Sequence, residues 1–137
     1  MYKRQLVALR DTVAGDIDLA APVPHIIRAA IARAADLRRT HPDQLRALRE
    51  IAQHLRQPDG TPRLGMDDYA QTYSLQATLF QRGVDEGTLR PVDTRVLAVT
   101  YQAALDAMLV YLDRHPDPDP TAYAAAVADI LLVGIER

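Results

Sequence analysis

The sequence predicts an all-α protein, built as an antiparallel bundle of about six helices. Alanine and leucine are abundant, and apolar residues recur with a period near 3.6 residues through most of the chain. Prolines and glycines separate these stretches into pieces of helical length, and no strand-like alternation extends beyond a few residues. A chain of 137 residues has the size of one domain, so we expect a single domain over residues 1–137.

Three helices are expected in the first half of the chain. The first spans residues 3–19, with an apolar stripe that weakens around Gly15. The break "APVP" precedes the second helix, and Pro24 fits its first turn. The third begins at Pro42, and the apolar side chains over 45–55 form one face opposite a face rich in arginine.

A fourth helix begins near the aspartates at 67–68 and runs into "QRGVDEGTLRPVDTR" (81–95), which we interpret as a corner between helices. Gly87 fits the position just past a helix end, where a positive φ is needed. Pro91 prevents the helix from resuming at once, and Asp93 is a good N-cap for the next one. The stretch has neither the amide run and lysine of a phosphate-binding loop nor the alternating acids of an EF-hand. A structural corner is therefore favoured over a ligand-binding loop.

The last two predicted helices, residues 96–112 and 121–135, are apolar around most of their circumference. Such helices must be covered on two sides, which is more than one chain of this size provides. We therefore expect a two-fold dimer in which the last two helices of each protomer form a four-helix bundle. The alternative, that these helices are only the core of a monomer, stays open. The residues expected at the interface are Ala103, Ala107, Val110, Tyr111, Tyr123, Ala126, Val127, Ile130, Leu131 and Gly134.

Residues that carry catalysis or bind metals are sparse and scattered. The chain has no cysteine, and its one serine, Ser74, lacks the Gly-x-Ser-x-Gly context of hydrolases. The four histidines lie in different segments, and the spacing of Glu50 and His54 fits one helix face but flanks the apolar stripe. We therefore expect no enzyme activity, no cofactor and no bound metal.

Two acids interrupt the apolar helices. For Asp106 and Asp129 we favour a position at a solvent-facing helix edge or a hydrogen bond to a tyrosine, with contact to a ligand as the alternative. Tyr69, Tyr73 and Tyr101 each combine an apolar ring with a polar tip, which suits a core edge or a pocket wall. From these residues, a packed core and a ligand pocket are about equally expected.

Charge and hydropathy bear on partners and location. A net charge of −2 argues against a surface that grips phosphates. The first residues, "MYKRQLVALR", have no apolar core of signal-peptide length, and no run reaches the ~18 apolar residues of a membrane span. A cytoplasmic protein without a membrane partner is expected.

The corner and the two last helices resemble the C-terminal, ligand-sensing and dimerising domain of tetracycline-repressor-type (TetR family) transcriptional regulators. In that family a helix ends in a Gly-x-x-x-Gly-like turn, Arg-Pro-x-Asp opens the penultimate helix, and Leu-x-x-Gly lies near the end of the last helix. The segment 3–17 resembles the family's fourth helix, which connects to the DNA-binding head. The stretches that carry the resemblance are "LFQRGVDEGTLRPVDTRVLA" (79–98), "ALDAMLVYLDRHP" (104–116) and "ILLVGIER" (130–137).

The resemblance implies a domain of a bacterial regulator that forms a homodimer and binds a small, mostly apolar effector. No three-helix basic head precedes Lys3, so DNA binding is expected only through an N-terminal helix-turn-helix that this chain lacks. A free-standing helical dimerisation module without a ligand is the alternative, and a helical enzyme or metal carrier is disfavoured. The effector pocket is expected between the third, fourth and fifth helices, with Gln76 as a polar handle. Its expected walls are Leu48, Ile51, Leu55, Tyr69, Tyr73, Phe80, Tyr101 and Met108.

Overall fold

A computed structural model describes residues 8, 11–13, 15, 17–46 and 69–137 of the chain. This part is helical and contains no β-strand, although an isolated antiparallel bridge pairs Leu89 with Glu136. Short helical stretches occupy 11–13 and 42–46. The all-α prediction is therefore confirmed. The longer helices of the described part are α1 (Val23–Thr40), α2 (Ala70–Asp85), α3 (Thr94–Arg114) and α4 (Pro120–Ile135).

Proline and aspartate determine where three of these helices begin. Pro24 lies in the first turn of α1, where its missing N–H leaves no hydrogen bond unmade. The Asp93 carboxylate accepts from two backbone amides in the first turn of α3. Asp119 caps α4 in the same way, and Pro120 is its first residue. The starts of α1 and α3 agree with the sequence prediction.

The helices pack in two main pairs, α1 along α4 and α2 along α3, while α1 also contacts α2 and α3. Each helix contributes one apolar stripe to a shared core. On α3, the buried positions recur at intervals of three or four residues, so the opposite side of that helix lies outside this core. The shared core includes Val23, Ile27, Ile31, Tyr73, Phe80, Leu89, Tyr101, Met108, Ala124, Ala128 and Leu132.

The stretch 81–95 forms the predicted corner. Gly87 has a φ of +83°, in the left-handed region that favours glycine. The backbone N–H groups of Thr88 and Leu89 both donate to the carbonyl of Gly83, each at 3.0 Å, and so cover the end of α2. The Leu89 side chain is then completely buried in the core.

The same corner holds the ends of two other helices. The N–H of Arg90 donates to the carbonyl of Ile135 at 2.8 Å, at the end of α4. The Glu86 carboxylate accepts from the N–H of Val23 at 3.0 Å, which gives a partner to an amide at the start of α1 that has none within the helix. This hydrogen bond, together with one from a threonine hydroxyl, holds the pKa of Glu86 below its usual range. The corner therefore joins the boundaries of α1, α2 and α4.

Within the described residues, α3 is the helix that is long and apolar enough to cross a membrane by length and composition. An 18-residue window within it has a mean hydropathy of 1.3. The sequence expectation considered uninterrupted apolar runs, whereas a window average tolerates polar residues such as Gln102 and Asp106. This is weak evidence for a membrane span, because core helices of soluble proteins pass the same test.

Candidate functional site

The predicted pocket residues divide between the described part and the rest of the chain. Leu48, Ile51 and Leu55 lie outside the described residues. The other six predicted residues lie on α2, just before it, or on α3, which pack against each other. These six are Tyr69, Tyr73, Gln76, Phe80, Tyr101 and Met108.

Four of these six, Tyr73, Phe80, Tyr101 and Met108, are buried in the hydrophobic core. Phe80 and Tyr101 meet edge to face, with ring centroids 5.5 Å apart and an interplanar angle of 78°. Met108 lies in the same core and is 1% exposed. Burial raises the pKa of Tyr101 well above its ordinary value, because the phenolate would have no water around it. This end of the predicted pocket is therefore lined by tightly packed side chains.

A second aromatic group lies at the beginning of α2. The rings of Tyr69 and Tyr73 stack, with centroids 5.7 Å apart. The Arg95 guanidinium lies 5.2 Å from the centroid of the Tyr73 ring, in the geometry of a cation–π contact, and also reaches the Ser74 hydroxyl at 3.3 Å. Tyr73 thus combines a buried ring with a neighbouring positive charge.

Three polar side chains are linked by hydrogen bonds where α2 packs against α3. Gln76 Nε2 donates to Gln102 Oε1 at 2.8 Å, and Gln102 Nε2 donates to Asp106 Oδ1 at 2.9 Å. We call these three residues the polar row. The sequence prediction identified Gln76 but missed Gln102. The signal was present, because Gln102 and Asp106 lie four residues apart on an apolar helix and so share one face.

The acid of the polar row lies in a different environment from the one favoured by the sequence. Asp106 is half-buried and pairs with a glutamine, rather than lying at a solvent-facing edge or bonding a tyrosine. Burial raises its pKa to about 6, against a smaller opposing effect of the hydrogen bond from Gln102. The pKa of Tyr73 is also raised, mainly by burial and further by the charge of Asp106. Asp129, in contrast, is exposed and forms an ion pair with Arg28 at 2.8 Å.

Replacing Asp106 with asparagine is expected to reduce the pH dependence of stability. The pKa of Asp106 is about 6 in the folded protein against an ordinary value of 3.8, so its contribution to stability is present at low pH and is lost as pH rises through 6. The wild type should therefore lose roughly 2 kcal/mol, relative to the variant, between pH ~4 and ~7. Urea unfolding of both proteins across this range measures the difference. The exposed Asp129→Asn substitution is the control, and a difference that did not vary with pH would contradict the assigned burial.

A small cavity lies at the C-terminal end of α3. Its volume is about 70 Å³, well below the ~300 Å³ typical of a site for a small-molecule ligand. Arg38 crosses this region and donates to the carbonyl of Leu112 at 3.1 Å. The lining residues are Ala35, Arg38, Leu45, Leu109, Leu112, Asp113, His115, Pro116, Pro118 and Pro120. Space for a few water molecules does not make this cavity an effector site.

The predicted dimer residues lie on the outward sides of α3 and α4. Ala103, Ala107, Val110, Tyr111, Ala126 and Ile130 are exposed, while Tyr123, Val127, Leu131 and Gly134 are half-buried. Ile130 is 74% exposed, and the neighbouring Val133, which the prediction omitted, is 89% exposed. The rings of Tyr111 and Tyr123 stack at 5.5 Å and join the two helices at one end. We define the α3–α4 face as the exposed set Ala103, Ala107, Val110, Tyr111, Ala126, Ile130 and Val133.

Metal ligands do not cluster in the part of the chain that the structure describes. No group of three or more histidine, aspartate or glutamate side chains is placed there to hold an ion. His25, His41 and His115 lie in or beside different helix ends, and His54 lies outside the described residues. His115 instead stacks on Tyr111, with ring centroids 4.1 Å apart.

Comparison with protein-family models and with curated protein sequences finds no match to this chain. The resemblance to TetR-family regulators therefore stays a prediction. Two features of the described residues bear on function: the apolar α3–α4 face and the polar row between α2 and α3.

Proposed function

We propose that this chain is the effector-sensing and homodimerisation domain of a TetR-like bacterial transcriptional regulator. It would act in the cytoplasm without catalysis, bind a small, mostly apolar effector, and control DNA binding by an N-terminal helix-turn-helix. The observation that carries the proposal is the exposed apolar α3–α4 face. Four of its side chains are large and at least 43% exposed: Val110, Tyr111, Ile130 and Val133.

The α3–α4 face has the composition and the length that a two-fold helical interface requires. Ala103, Ala107 and Ala126 allow close approach of helix backbones, while the larger side chains supply contact area. Helices of 21 and 16 residues are about 31 and 24 Å long, so two such pairs can bury the ~1,200–2,000 Å² of a specific interface. A second copy of the same face would supply the cover that each monomer lacks, because a two-fold contact is self-complementary.

Effector sensing is supported by the position of the polar row and by the contacts of α2. Gln76 lies on α2, and so does Arg82, whose guanidinium donates to the carbonyls of Leu19 and Ala21. Leu19 is the last residue of the proposed connecting helix, residues 3–19, and Ala21 follows that helix by two residues. An effector that favoured one position of α2 would therefore shift this segment and, through it, the DNA-binding heads.

A thermal-shift screen of small apolar compounds tests the sensing role. A ligand at one hundred times its Kd stabilises the folded protein by about 2.7 kcal/mol, which corresponds to a rise in Tm of roughly 8 °C for a domain of this size. The Gln76→Leu variant should give smaller shifts with the same compounds, because it loses the polar handle while keeping a side chain of similar size.

The alternative is a free-standing helical dimerisation module without a ligand. The close packing of Phe80, Tyr101 and Met108 in the core favours this alternative, since it reduces the space for an effector. A dimer in light scattering, combined with no compound that raises the Tm, would support the module and contradict the sensing role.

A further inference from the structure

The hydrogen bonds of the polar row have a direction, and the acid at its end determines it. An ionised carboxylate only accepts, so Gln102 must turn its NH₂ group towards Asp106. The carbonyl oxygen of Gln102 then faces Gln76, which must donate in its turn. The far end of the row is therefore Gln76 Oε1, which is an acceptor.

That acceptor is buried and has no hydrogen-bond partner among the residues that the structure describes. Buried polar atoms without a partner are rare in folded proteins, and each one needs a physical explanation. Turning the Gln76 amide over would point its oxygen at the oxygen of Gln102, so the row cannot satisfy this atom by itself. A donor from outside the row would satisfy it without disturbing the other two hydrogen bonds.

The row also carries a negative charge that is not matched by a nearby cation among the described residues. Asp106 forms no ion pair there, and its hydrogen bond comes from the neutral Gln102. Arg95 precedes Asp106 by three helical turns, or about 16 Å along α3, and lies against the Tyr73 ring instead. A donor that also carries a positive charge would be favoured over a neutral one, because charge-assisted hydrogen bonds are stronger.

The geometry points to an effector with an ammonium head and an apolar body, in which the head donates to Gln76 Oε1 and the body lies beside the Tyr69–Tyr73 stack. This inference rests on the proposed effector-binding function and adds the chemical class of the ligand. The two stacked rings provide apolar surface for the body, and the polar row selects the head. An anionic head is excluded by the same features, since it has no proton to donate and is repelled by Asp106.

Three probes with the same eight-carbon chain and different heads test the inference: octylamine, 1-octanol and octanoate. Titration calorimetry with the full chain near neutral pH should give octylamine a Kd about tenfold lower than 1-octanol, with octanoate the weakest. Asp106→Asn should raise the Kd of octylamine about tenfold and change that of 1-octanol little. Only the charged head of octylamine loses an attraction to the Asp106 carboxylate. Gln76→Leu should raise the Kd of both octylamine and 1-octanol, because both heads donate a hydrogen bond to Gln76 Oε1. Asp129→Asn is the matched control, since it removes an exposed acid of the same type, and it should change nothing.

Equal binding of octylamine and 1-octanol would overturn the inference, as would a preference for octanoate or an unchanged octylamine affinity in Asp106→Asn. Failure of all three probes to bind would overturn it as well. The wider compound screen separates this result from failure of the proposed function. If other compounds raise the Tm, effector sensing survives without the ammonium preference, and if none does, both proposals are wrong.

Discussion

Replacing Ile130 with aspartate is expected to convert the proposed dimer into a folded monomer. The Ile130 side chain is 74% exposed on α4, so the substitution removes little from the monomer core. In a two-fold interface the same change introduces two carboxylates into apolar contact, each at a cost of about 2 kcal/mol or more. The total of about 4 kcal/mol raises the Kd of the dimer about a thousandfold.

Light scattering after gel filtration at tens of micromolar measures this change. Leu75→Asp is the matched control, because Leu75 is also a half-exposed apolar residue but lies on α2, outside the α3–α4 face. It should leave the dimer intact. Circular dichroism should give both variants the helix content of the wild type. A dimeric Ile130→Asp protein would contradict the proposed interface, and a wild-type chain that is monomeric at tens of micromolar would contradict dimerisation itself.

The helix boundaries could be predicted from the sequence because the chemistry that determines them is local. Asp93 and Asp119 cap helices through amides two or three residues away, and Pro120 fixes its own φ. Gly87 adopts its positive φ within a single turn. None of these features depends on which helix packs against which.

The candidate site was predicted less completely because it depends on how two helices are rotated about their axes. The apolar composition of α3 did not reveal which side would face α2, so the contact between Gln102 and Gln76 could not be read from α3 alone. These two amides meet across the α2–α3 contact, 26 residues apart in the chain. Sequence periodicity identifies an apolar stripe but does not specify polar contacts between helices.

The exposed apolar α3–α4 face was predicted for a simpler physical reason. Apolar residues around nearly the whole circumference of α3 and α4 exceed what one small core can cover, and that excess is visible in composition alone. Val133 was omitted although it follows Ile130 by three residues and therefore lies on the same side of the helix. The excess predicts an interface, and its partner stays a proposal.

The polar row lowers stability at the place where the proposed effector would bind. Burial of Asp106 destabilises the protein near neutral pH, and so does Gln76 Oε1, which has no partner in the described part of the chain. Functional sites often contain destabilising polar groups of this kind. A bound ligand can supply the missing hydrogen bond and so recover the stability that these groups cost the free protein. An effector that binds the row would therefore stabilise the protein, which is the linkage that the compound screen measures.

Replacing Gly83 with valine is expected to disrupt the corner that joins α1, α2 and α4. A Cβ at this position would lie 2.7 Å from Leu89 Cδ1, 2.8 Å from Leu89 Cγ and 3.0 Å from Val23 Cβ. Both neighbours are completely buried, so neither can move aside freely. Overpacking of this kind costs about 1–3 kcal/mol for small insertions, and we expect about 3 kcal/mol or more because valine adds two further methyl groups.

Urea unfolding of Gly83→Val in the Ile130→Asp background measures the cost without a contribution from dimerisation. Gly134→Val is the matched control, because Gly134 also lies within a helix but a Cβ there meets no atom within 4 Å. The intrinsic helix propensities of glycine and valine differ by only a few tenths of a kcal/mol, in favour of valine, so the control should change stability little. Because the corner holds the start of α1 and the end of α4, Gly83→Val should also speed amide exchange at Val23 and Arg90, which donate hydrogen bonds across it. Equal stability of the two valine variants would show that Leu89 and Val23 yield to the added side chain, and that the corner is not the rigid junction inferred from its contacts.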